Sequence, residues 1–263
     1  MRDDQSSVLA RQQFGAVAAA YVTSTVHASG PDLDALIRAA SPTGTEQVLD
    51  VGCGAGHTAL ALAPRVRGVT AIDVTPEMLG VAAELAKTRG VANVSFRHAD
   101  ATALPFDASS FDLATSRYSA HHFADPAAAL TELARVLRPG GRFLLVDTVA
   151  PEDAALDTFF NAVELLRDPS HVRNCRISEW GRLFRQASLE PRVLFRYPLD
   201  LDGETWVARM QTPPARVAAL RELFATASTA ARSAFAIRSG DGWGWTIPVA
   251  LIAGEHGTRG KGS

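Results

Sequence analysis

Cysteine is scarce in this chain, and long apolar runs are missing. The 263 residues include 2 cysteines, Cys53 and Cys175, which argues against a disulfide framework and is typical of a reducing compartment. No apolar run approaches the roughly 18 residues that span a bilayer, so we expect no membrane insertion. The apolar segment 14–22 follows two aspartates rather than a basic cluster, which is not the pattern of a secretory signal. These absences predict a cytoplasmic protein.

A large excess of charge of either sign is also missing. The formal net charge is −2, so the chain lacks the basic footprint of a nucleic-acid-binding protein. Its hydrophobic content of 47% and charged content of 21% are ordinary for a globular protein. The length allows one α/β domain with insertions. We expect a monomer or homodimer with no nucleic-acid partner.

Glycine is concentrated in one short stretch directly after an apolar run. Gly52, Gly54 and Gly56 follow the run 48–51 and precede a helix-like segment, 58–63. Glycines allow positive φ and let a ligand lie against backbone whose N–H groups are unpaired, and a helix N-terminus favours carboxylate or phosphate. The nicotinamide fingerprint is G-x-G-x-x-G, whereas the spacing here is G-x-G-x-G.

Apolar runs and helical segments alternate over about a hundred residues. Such alternation implies right-handed crossovers and a mostly parallel sheet, so we predict an α/β fold of the Rossmann-like, doubly wound type. An apolar stretch at 243–253 predicts an antiparallel last strand, and Pro248 favours an edge or bulged position for it. N-terminal helices are predicted before the sheet and a helical cap after its fifth strand. The five core strands are predicted at 47–51, 68–73, 93–97, 111–116 and 142–147.

Two acids follow the glycines at the ends of predicted strands. Asp73 lies 21 positions after Gly52, and an acid about 20 residues past such glycines accepts hydrogen bonds from ribose hydroxyls. The alternative is that Asp73 only caps the next helix, although Thr75 is better placed for that task. Asp100 follows the third strand, where an isolated acid is often a solvated turn residue.

The ordered set of motifs resembles the class I methyltransferases that use S-adenosylmethionine. It comprises the glycine loop with Asp50 before it, Asp73, Asp100 and the turn 138–142, and covers residues 45–148. Ala103-Leu-Pro-Phe106 and Ala120-His-His-Phe123 resemble the ubiquinone/menaquinone-biosynthesis branch more closely. The resemblance implies S-adenosyl-L-methionine as methyl donor and S-adenosyl-L-homocysteine as product.

The resemblance also implies an organisation and a set of binding residues. A single domain would contain lid helices in 1–44, a cofactor-binding core in 45–150, and a cap insertion plus the last two strands in 151–263. Asp100 would bind the adenine amino group. The cofactor-binding residues expected are Tyr21, Asp50, Gly52, Gly54, Gly56, Asp73, Val74, Met78, Asp100, Ala101 and Arg117. Those expected to bind the acceptor are Tyr118, Asn161, Arg167, His171 and Arg173, for which a solvated helix face is the alternative.

Methyl transfer from a sulfonium is an in-line displacement in which the protein aligns the nucleophile and excludes water. A protonated oxygen or nitrogen acceptor needs a base, and a carbon acceptor needs an electron-releasing neighbour. His121 or His122 is the expected base because imidazole titrates near neutral pH; alternatively one stacks on cofactor or core and the other faces solvent. Asp147 is expected to be a turn residue. No metal site is expected, since adjacent histidines rarely converge on one ion.

Other functions remain open beside methylation of an aromatic, quinol or heteroaromatic small molecule at C, O or N. The same fold could use S-adenosylmethionine for decarboxylation or rearrangement. A nicotinamide oxidoreductase is disfavoured by the glycine spacing and by Asp100. A non-catalytic scaffold is disfavoured because every expected cofactor group is present.

Overall fold

A single seven-stranded sheet forms the centre of the fold in the computed structural model, which describes residues 5–22 and 28–257. The strands are β1 (Gln47–Val51), β2 (Gly68–Asp73), β3 (Val94–His98), β4 (Phe111–Arg117), β5 (Leu137–Thr148), β6 (Leu189–Asp202) and β7 (Gly244–His256). Their spatial order is β3-β2-β1-β4-β5-β7-β6. The first five pair in parallel, and β7 runs antiparallel to both β5 and β6. The predicted fold class is confirmed, including the antiparallel last strand.

Helices precede the sheet, connect its strands and form the cap. They are α1 (Gln5–Val22), α2 (Pro31–Ala40), α3 (His57–Leu62), α4 (Pro76–Thr88), α5 (Pro126–Val136), α6 (Ala154–Arg167), α7 (Ile177–Gln186), α8 (Gly203–Arg209), α9 (Pro214–Ala225) and α10 (Thr229–Phe235). Asp125 caps α5, since its carboxylate accepts the N–H of Ala128 at 2.9 Å. No helix in the described part of the chain is both long and apolar enough to cross a membrane.

Both faces of the sheet are buried along its central strands β1, β4, β5 and β7, which explains why these strands read as largely continuous apolar runs, whereas the edge strands β3 and β6 are mostly half-buried or exposed. Along β5, Phe143 and Leu145 enter the core covered by α5 and α7, whereas Leu144 and Val146 enter the core covered by α2 and α3. The strand order reverses between β1 and β4, because β2 and β3 lie on one side of β1 and the later strands on the other. In open α/β sheets such a reversal opens a ligand crevice beyond the carboxyl ends of the strands.

The cap has an apolar core of its own. Aromatic side chains from α6, α8, α9, α10 and β7 pack together there, with Trp245 in contact with four of them. The aromatic members of this core that are fully buried are Phe160, Trp206, Phe224, Phe235, Trp243 and Trp245. The long cap insertion is therefore a packed layer over one end of the sheet.

The position predicted for the last strand is wrong. β7 is an interior strand, and β6 occupies the edge. Pro248 fits there because it lies directly opposite Pro198 of β6, where neither residue has an N–H to donate. On its other side the Pro248 carbonyl accepts the N–H of Val149 at 3.0 Å, just past the last residue of β5. Pro248, which has no N–H, therefore lies where the hydrogen-bonded pairing of β7 with β5 ends.

Candidate active site

The glycine loop connects β1 to α3, and one of its glycines lies very close to Ser119. Gly52 has φ +64°, and a Cβ placed there would lie 1.7 Å from the hydroxyl of Ser119. Gly54 has φ +50° with open space where its Cβ would be. Gly52 is thus required by both conformation and space, while Gly54 is required by conformation. The loop leaves bare backbone facing the crevice.

Asp73 holds the glycine loop in place from the end of β2. One carboxylate oxygen accepts the N–H of Gly54 at 2.8 Å, and the other accepts the N–H of Thr75 at 2.9 Å. The hydroxyl of Thr75, expected to cap α4, makes no cap bond. Burial raises the pKa of Asp73. Because a carboxylate has about four acceptor positions, Asp73 keeps capacity for a ligand.

Asp50 is buried behind the glycine loop and does not face the crevice. It is fully buried, and one of its oxygens accepts the hydroxyl proton of Thr115 at 2.7 Å. Burial raises the pKa of Asp50 to about 7. Neither Asp50 nor Gly56 lines the cavity described next. The structure therefore places Asp50 behind the loop and Gly56 at the cap position of α3, and neither expected cofactor-binding residue lines the cavity.

A cavity of about 370 Å³ extends from the glycine loop to the cap. Asp100 faces it with one oxygen held by the N–H and hydroxyl of Thr102, both at 2.8 Å. The side chain of Tyr21 falls outside the described residues. The expected cofactor-binding residues that the structure brings together around the cavity are Gly52, Gly54, Asp73, Val74, Met78, Asp100, Ala101 and Arg117.

Arg117 and Tyr118 are both fixed at the end of β4. The guanidinium of Arg117 donates through Nε to Asp32 of α2 at 2.5 Å, and these two side chains are only 4% and 2% exposed. Tyr118 takes the left-handed conformation, with φ +53°, and its hydroxyl lies 2.5 Å from that of Tyr197 on β6. The guanidinium carbon of Arg117 lies 5.0 Å from the centroid of the Tyr118 ring. These contacts join α2, β4 and β6 beside the cavity.

His121 forms a pair with a buried carboxylate. Its Nδ1 lies 2.7 Å from one oxygen of Asp147, whose other oxygen accepts the His121 backbone N–H at 3.0 Å. Asp147 is therefore a site residue on β5, and the prediction that it is a turn residue is wrong. Burial opposes the charged imidazole, but the carboxylate of Asp147 outweighs it, so the pKa of His121 is raised. Its other ring nitrogen, Nε2, remains for the cavity that His121 lines.

His122 has a different environment. Its Nδ1 lies 3.0 Å from the carbonyl oxygen of Ser170, which can only accept, so Nδ1 carries the proton. Burial, together with the charge of His121, lowers the pKa of His122 to about 4. Its ring also packs edge-on against Phe14 of α1, with centroids 4.9 Å apart. The structure thus distinguishes the two histidines: His121 has a carboxylate partner, and His122 is held neutral.

Residues expected to bind an acceptor divide into two groups. Tyr118 and Arg167 line the cavity, whereas Asn161, His171 and Arg173 do not. Asn161 accepts from His171 Nε2 at 3.0 Å and from the backbone N–H of Asn174 at 2.7 Å. The backbone N–H of Arg173 donates to the carbonyl of His121 at 3.0 Å. This second group forms a network that fixes the loop after α6 against the histidines.

Several residues at the cap end of the cavity were not found from the sequence. They lie on the strands β5, β6 and β7, on the helices α6 and α8, and directly after α6. Because these elements are far apart in the chain, no local pattern links the residues. Only Glu164 and Asp168 had a signal, as acids close in sequence to Arg167. The residues are Thr148, Glu164, Asp168, Leu199, Leu201, Trp206, Arg209 and Ile247.

Comparisons with known proteins agree with this geometry. A profile described as a methyltransferase domain matches residues 49–145. The chain is 41% identical over 244 residues to the uncharacterized methyltransferase YcgJ of Bacillus subtilis, covering 92% of this chain and 96% of that one. The crystal structure of YcgJ superposes with a TM-score of 0.84 over 86% of this chain and 98% of its own. The uncharacterized protein YafE of Escherichia coli is 41% identical, covering 76% of this chain and 96% of YafE.

A more distant match concerns quinone biosynthesis. The ubiquinone/menaquinone biosynthesis C-methyltransferase UbiE of Rhizobium meliloti is 38% identical over 135 residues, covering 49% of this chain and 52% of that one. Together with the near full-length matches, this identifies the class: an enzyme that transfers methyl groups on a Rossmann-like fold. The chain belongs to the class I S-adenosylmethionine-dependent methyltransferase family.

Proposed function

We propose that the chain transfers a methyl group from S-adenosylmethionine to a hydroxyl group of a small aromatic molecule. The observation that carries this proposal is that one cavity joins the glycine loop and two acids to a histidine–carboxylate pair. The family supplies the reaction type, and the pair favours an acceptor that loses a proton. A formal net charge of −2 favours a small molecule over nucleic acid as acceptor.

The residues at the sheet end of the cavity fit an adenosine-containing methyl donor. Backbone at Gly52 and Gly54 would lie against it, Asp73 would accept from the ribose hydroxyls, and Asp100 would accept from the adenine amino group. Val74, Met78 and Ala101 would surround the base. When bound, the sulfonium supplies an electrophilic methyl group. A cavity of this size is within the range of small-ligand sites, about 300–1,000 Å³.

The histidine–carboxylate pair would manage the proton of the acceptor. His121 Nε2 would take the proton of the acceptor hydroxyl whose oxygen is methylated. Asp147 would accept a hydrogen bond from Nδ1–H, fix the ring orientation and stabilise the imidazolium that results. His122 would be a weaker base, because burial lowers its pKa to about 4, whereas the Asp147 carboxylate raises the pKa of His121.

The elements on either side of the sheet would enclose the reaction. In α1, Gln13 donates to the carbonyl of Met210 at 2.7 Å, and Ala18 packs with Met78 and Met210. This helix therefore bridges the cofactor end and the cap. We accordingly assign residues 1–44 to a lid, 45–150 to the cofactor-binding core, and 151–263 to the cap with the last two strands, within one domain.

Calorimetry and product analysis test the proposal. Purified protein should bind S-adenosylhomocysteine, and Asp73→Ala should weaken that binding by more than about tenfold, since hydrogen bonds to a charged group are lost. Mass spectrometry should then detect a methylated product from a panel of phenols, quinols and heteroaromatics. No association of folded protein with S-adenosylhomocysteine would overturn the proposal. Conversion of S-adenosylmethionine without a methylated acceptor would instead favour another reaction on this fold.

A further inference from the structure

The cap end of the cavity contains a guanidinium that is held rigidly. Arg167, the last residue of α6, donates through Nε to the carbonyl of Trp206 at 3.1 Å, and its guanidinium carbon lies 5.1 Å from the centroid of the Trp206 ring. The side chain is 11% exposed. Its main-chain carbonyl accepts the hydroxyl of Thr212 at 3.0 Å, which ties the end of α6 to the loop after α8. A guanidinium fixed in this way is pre-organised to bind a planar anion.

Arg167 has donors left over after these contacts. A guanidinium carries five N–H groups in a rigid fork. Among the described residues, its polar contacts use Nε and Nη1. The Nη2 donors therefore remain for a ligand in the cavity that Arg167 lines.

The carboxylate that faces Arg167 is a weak partner. Glu164 lies 3.6 Å from Nη1, whereas strong charge-assisted bonds between these groups are about 2.7–2.9 Å long. Burial raises the pKa of Glu164, even though Arg167 and His121 oppose that effect. Charged neighbours at this end of the cavity are His121 from the 3-10 helix after β4, Asp168 after α6, and Arg209 on α8. Protonation of Glu164 would release the guanidinium to another anion without placing two carboxylates together.

We propose that Arg167 is a specificity-determining residue that binds an anionic group of the acceptor, and that Glu164 is the counterion which this group replaces. The proposal rests on the methyltransferase function argued above and names its substrate class as hydroxylated aromatic acids. The ring would lie beside Trp206, the hydroxyl would face His121, and the carboxylate would meet Arg167, all of which line the same cavity.

Two substitutions separate this role from a merely structural one because their expected effects have opposite sign. Arg167→Met removes the cation and should weaken binding of an aromatic acid. Glu164→Gln removes the competing anion and should strengthen it. Loss of a structural contact would instead weaken binding of every ligand in both variants. Arg167→Lys keeps the positive charge but loses the planar guanidinium that can donate two parallel hydrogen bonds to a carboxylate. It should therefore weaken binding of the acid less than Arg167→Met does.

Calorimetry with a matched pair of probes provides the test. The probes are 3,4-dihydroxybenzoate and catechol, which differ by one carboxylate, and each is titrated into protein saturated with S-adenosylhomocysteine. Wild type should bind 3,4-dihydroxybenzoate about tenfold more tightly than catechol. This ratio of affinities should approach one in Arg167→Met and should rise severalfold in Glu164→Gln. Burial raises the pKa of Glu164, so lowering the pH protonates it and should tighten binding of the acid to wild type, an effect that Glu164→Gln should reduce.

Several outcomes would overturn the proposal. These are equal affinity for both probes in wild type, no binding of either probe, or an unchanged ratio in Glu164→Gln. If Arg167→Met does not fold, the Glu164→Gln ratio and the pH dependence still decide. Failure to bind S-adenosylhomocysteine at the first step would overturn the proposed function instead, so the two failures are distinguishable.

Discussion

His121 and Asp147 are joined by two hydrogen bonds, one to the ring nitrogen Nδ1 at 2.7 Å and one from the backbone N–H at 3.0 Å. Asp147 is the penultimate residue of β5, and His121 lies in the 3-10 helix that follows β4, the parallel neighbour of β5. The two bonds fix both the position of the residue and the orientation of its ring. A general base needs both.

Replacing Asp147 with asparagine should lower the rate and move its pH dependence. The Asp147 carboxylate raises the pKa of His121, so activity that needs neutral His121 rises with pH through that raised pKa. In Asp147→Asn the pKa falls, and the acid limb of the kcat profile should move to lower pH. His121→Asn should lower kcat by about 10²-fold or more, the usual contribution of a general base. An acid limb that stays in place in Asp147→Asn would contradict the assignment.

His122→Asn is the matched control for that experiment. His122 is adjacent in sequence, and its ring centroid is 4.2 Å from that of His121, but it has no comparable carboxylate bond among the described residues. The variant His122→Asn should lower kcat far less than His121→Asn does. Equal losses in the two variants would mean that the histidines act as a unit and that the structure does not distinguish them.

The glycine loop offers a test that separates space from backbone conformation. Gly52→Ala introduces both a Cβ in contact with Ser119 and a strained φ, whereas Gly54→Ala introduces the strained φ alone. A non-glycine residue in the left-handed region costs about 1–2 kcal/mol. Gly52→Ala should therefore reduce S-adenosylhomocysteine affinity and stability much more than Gly54→Ala, as measured by calorimetry and denaturant unfolding. Ser119→Gly should partly rescue Gly52→Ala; no rescue would show that the close approach is not the cause.

The sequence was sufficient to predict the parts of the site that are local in the chain. The glycine loop and Asp73 are adjacent to strand ends whose apolar runs are unmistakable, and the structure places both at the cavity. Asp147 was misassigned because its partner is 26 residues away, and a strand-end acid has no local mark of burial. Asn161 and Trp206 show the same limit, since the rotation of a cap helix about its axis decides which side chains face the cavity. That rotation depends on packing between distant elements.

The buried ion pair between Asp32 and Arg117 should contribute strongly to stability once it has formed. Asp32→Ala would leave a guanidinium that is 4% exposed without its carboxylate partner, which costs about 3–5 kcal/mol. The double variant Asp32→Leu/Arg117→Met removes both charges and should be less destabilised than the single variant. Denaturant unfolding measures both. A double variant as unstable as the sum of the two single variants would show that the pair is not coupled.

Acid should destabilise the protein through histidines that the fold keeps neutral. Burial is the main cause that lowers the pKa of His122 to about 4 and that of His171 to about 2. The unfolded chain therefore binds protons below about pH 6.5 that the folded chain excludes. Each such histidine lowers the free energy of unfolding by about 1.4 kcal/mol per pH unit as pH falls below that value. His121 acts in the opposite sense, because its pKa is raised.

Denaturant unfolding between pH 7 and pH 5 measures this dependence. His171→Gln should reduce by close to one the number of protons that the unfolded chain binds in excess of the folded chain, so stability should fall less steeply on acidification. This holds even if the loss of the bond to Asn161 lowers stability at pH 7. The slope separates the two effects, since a lost hydrogen bond shifts the whole curve while a lost titration changes its gradient. An unaltered gradient in His171→Gln would mean that the folded protein admits the proton at this site.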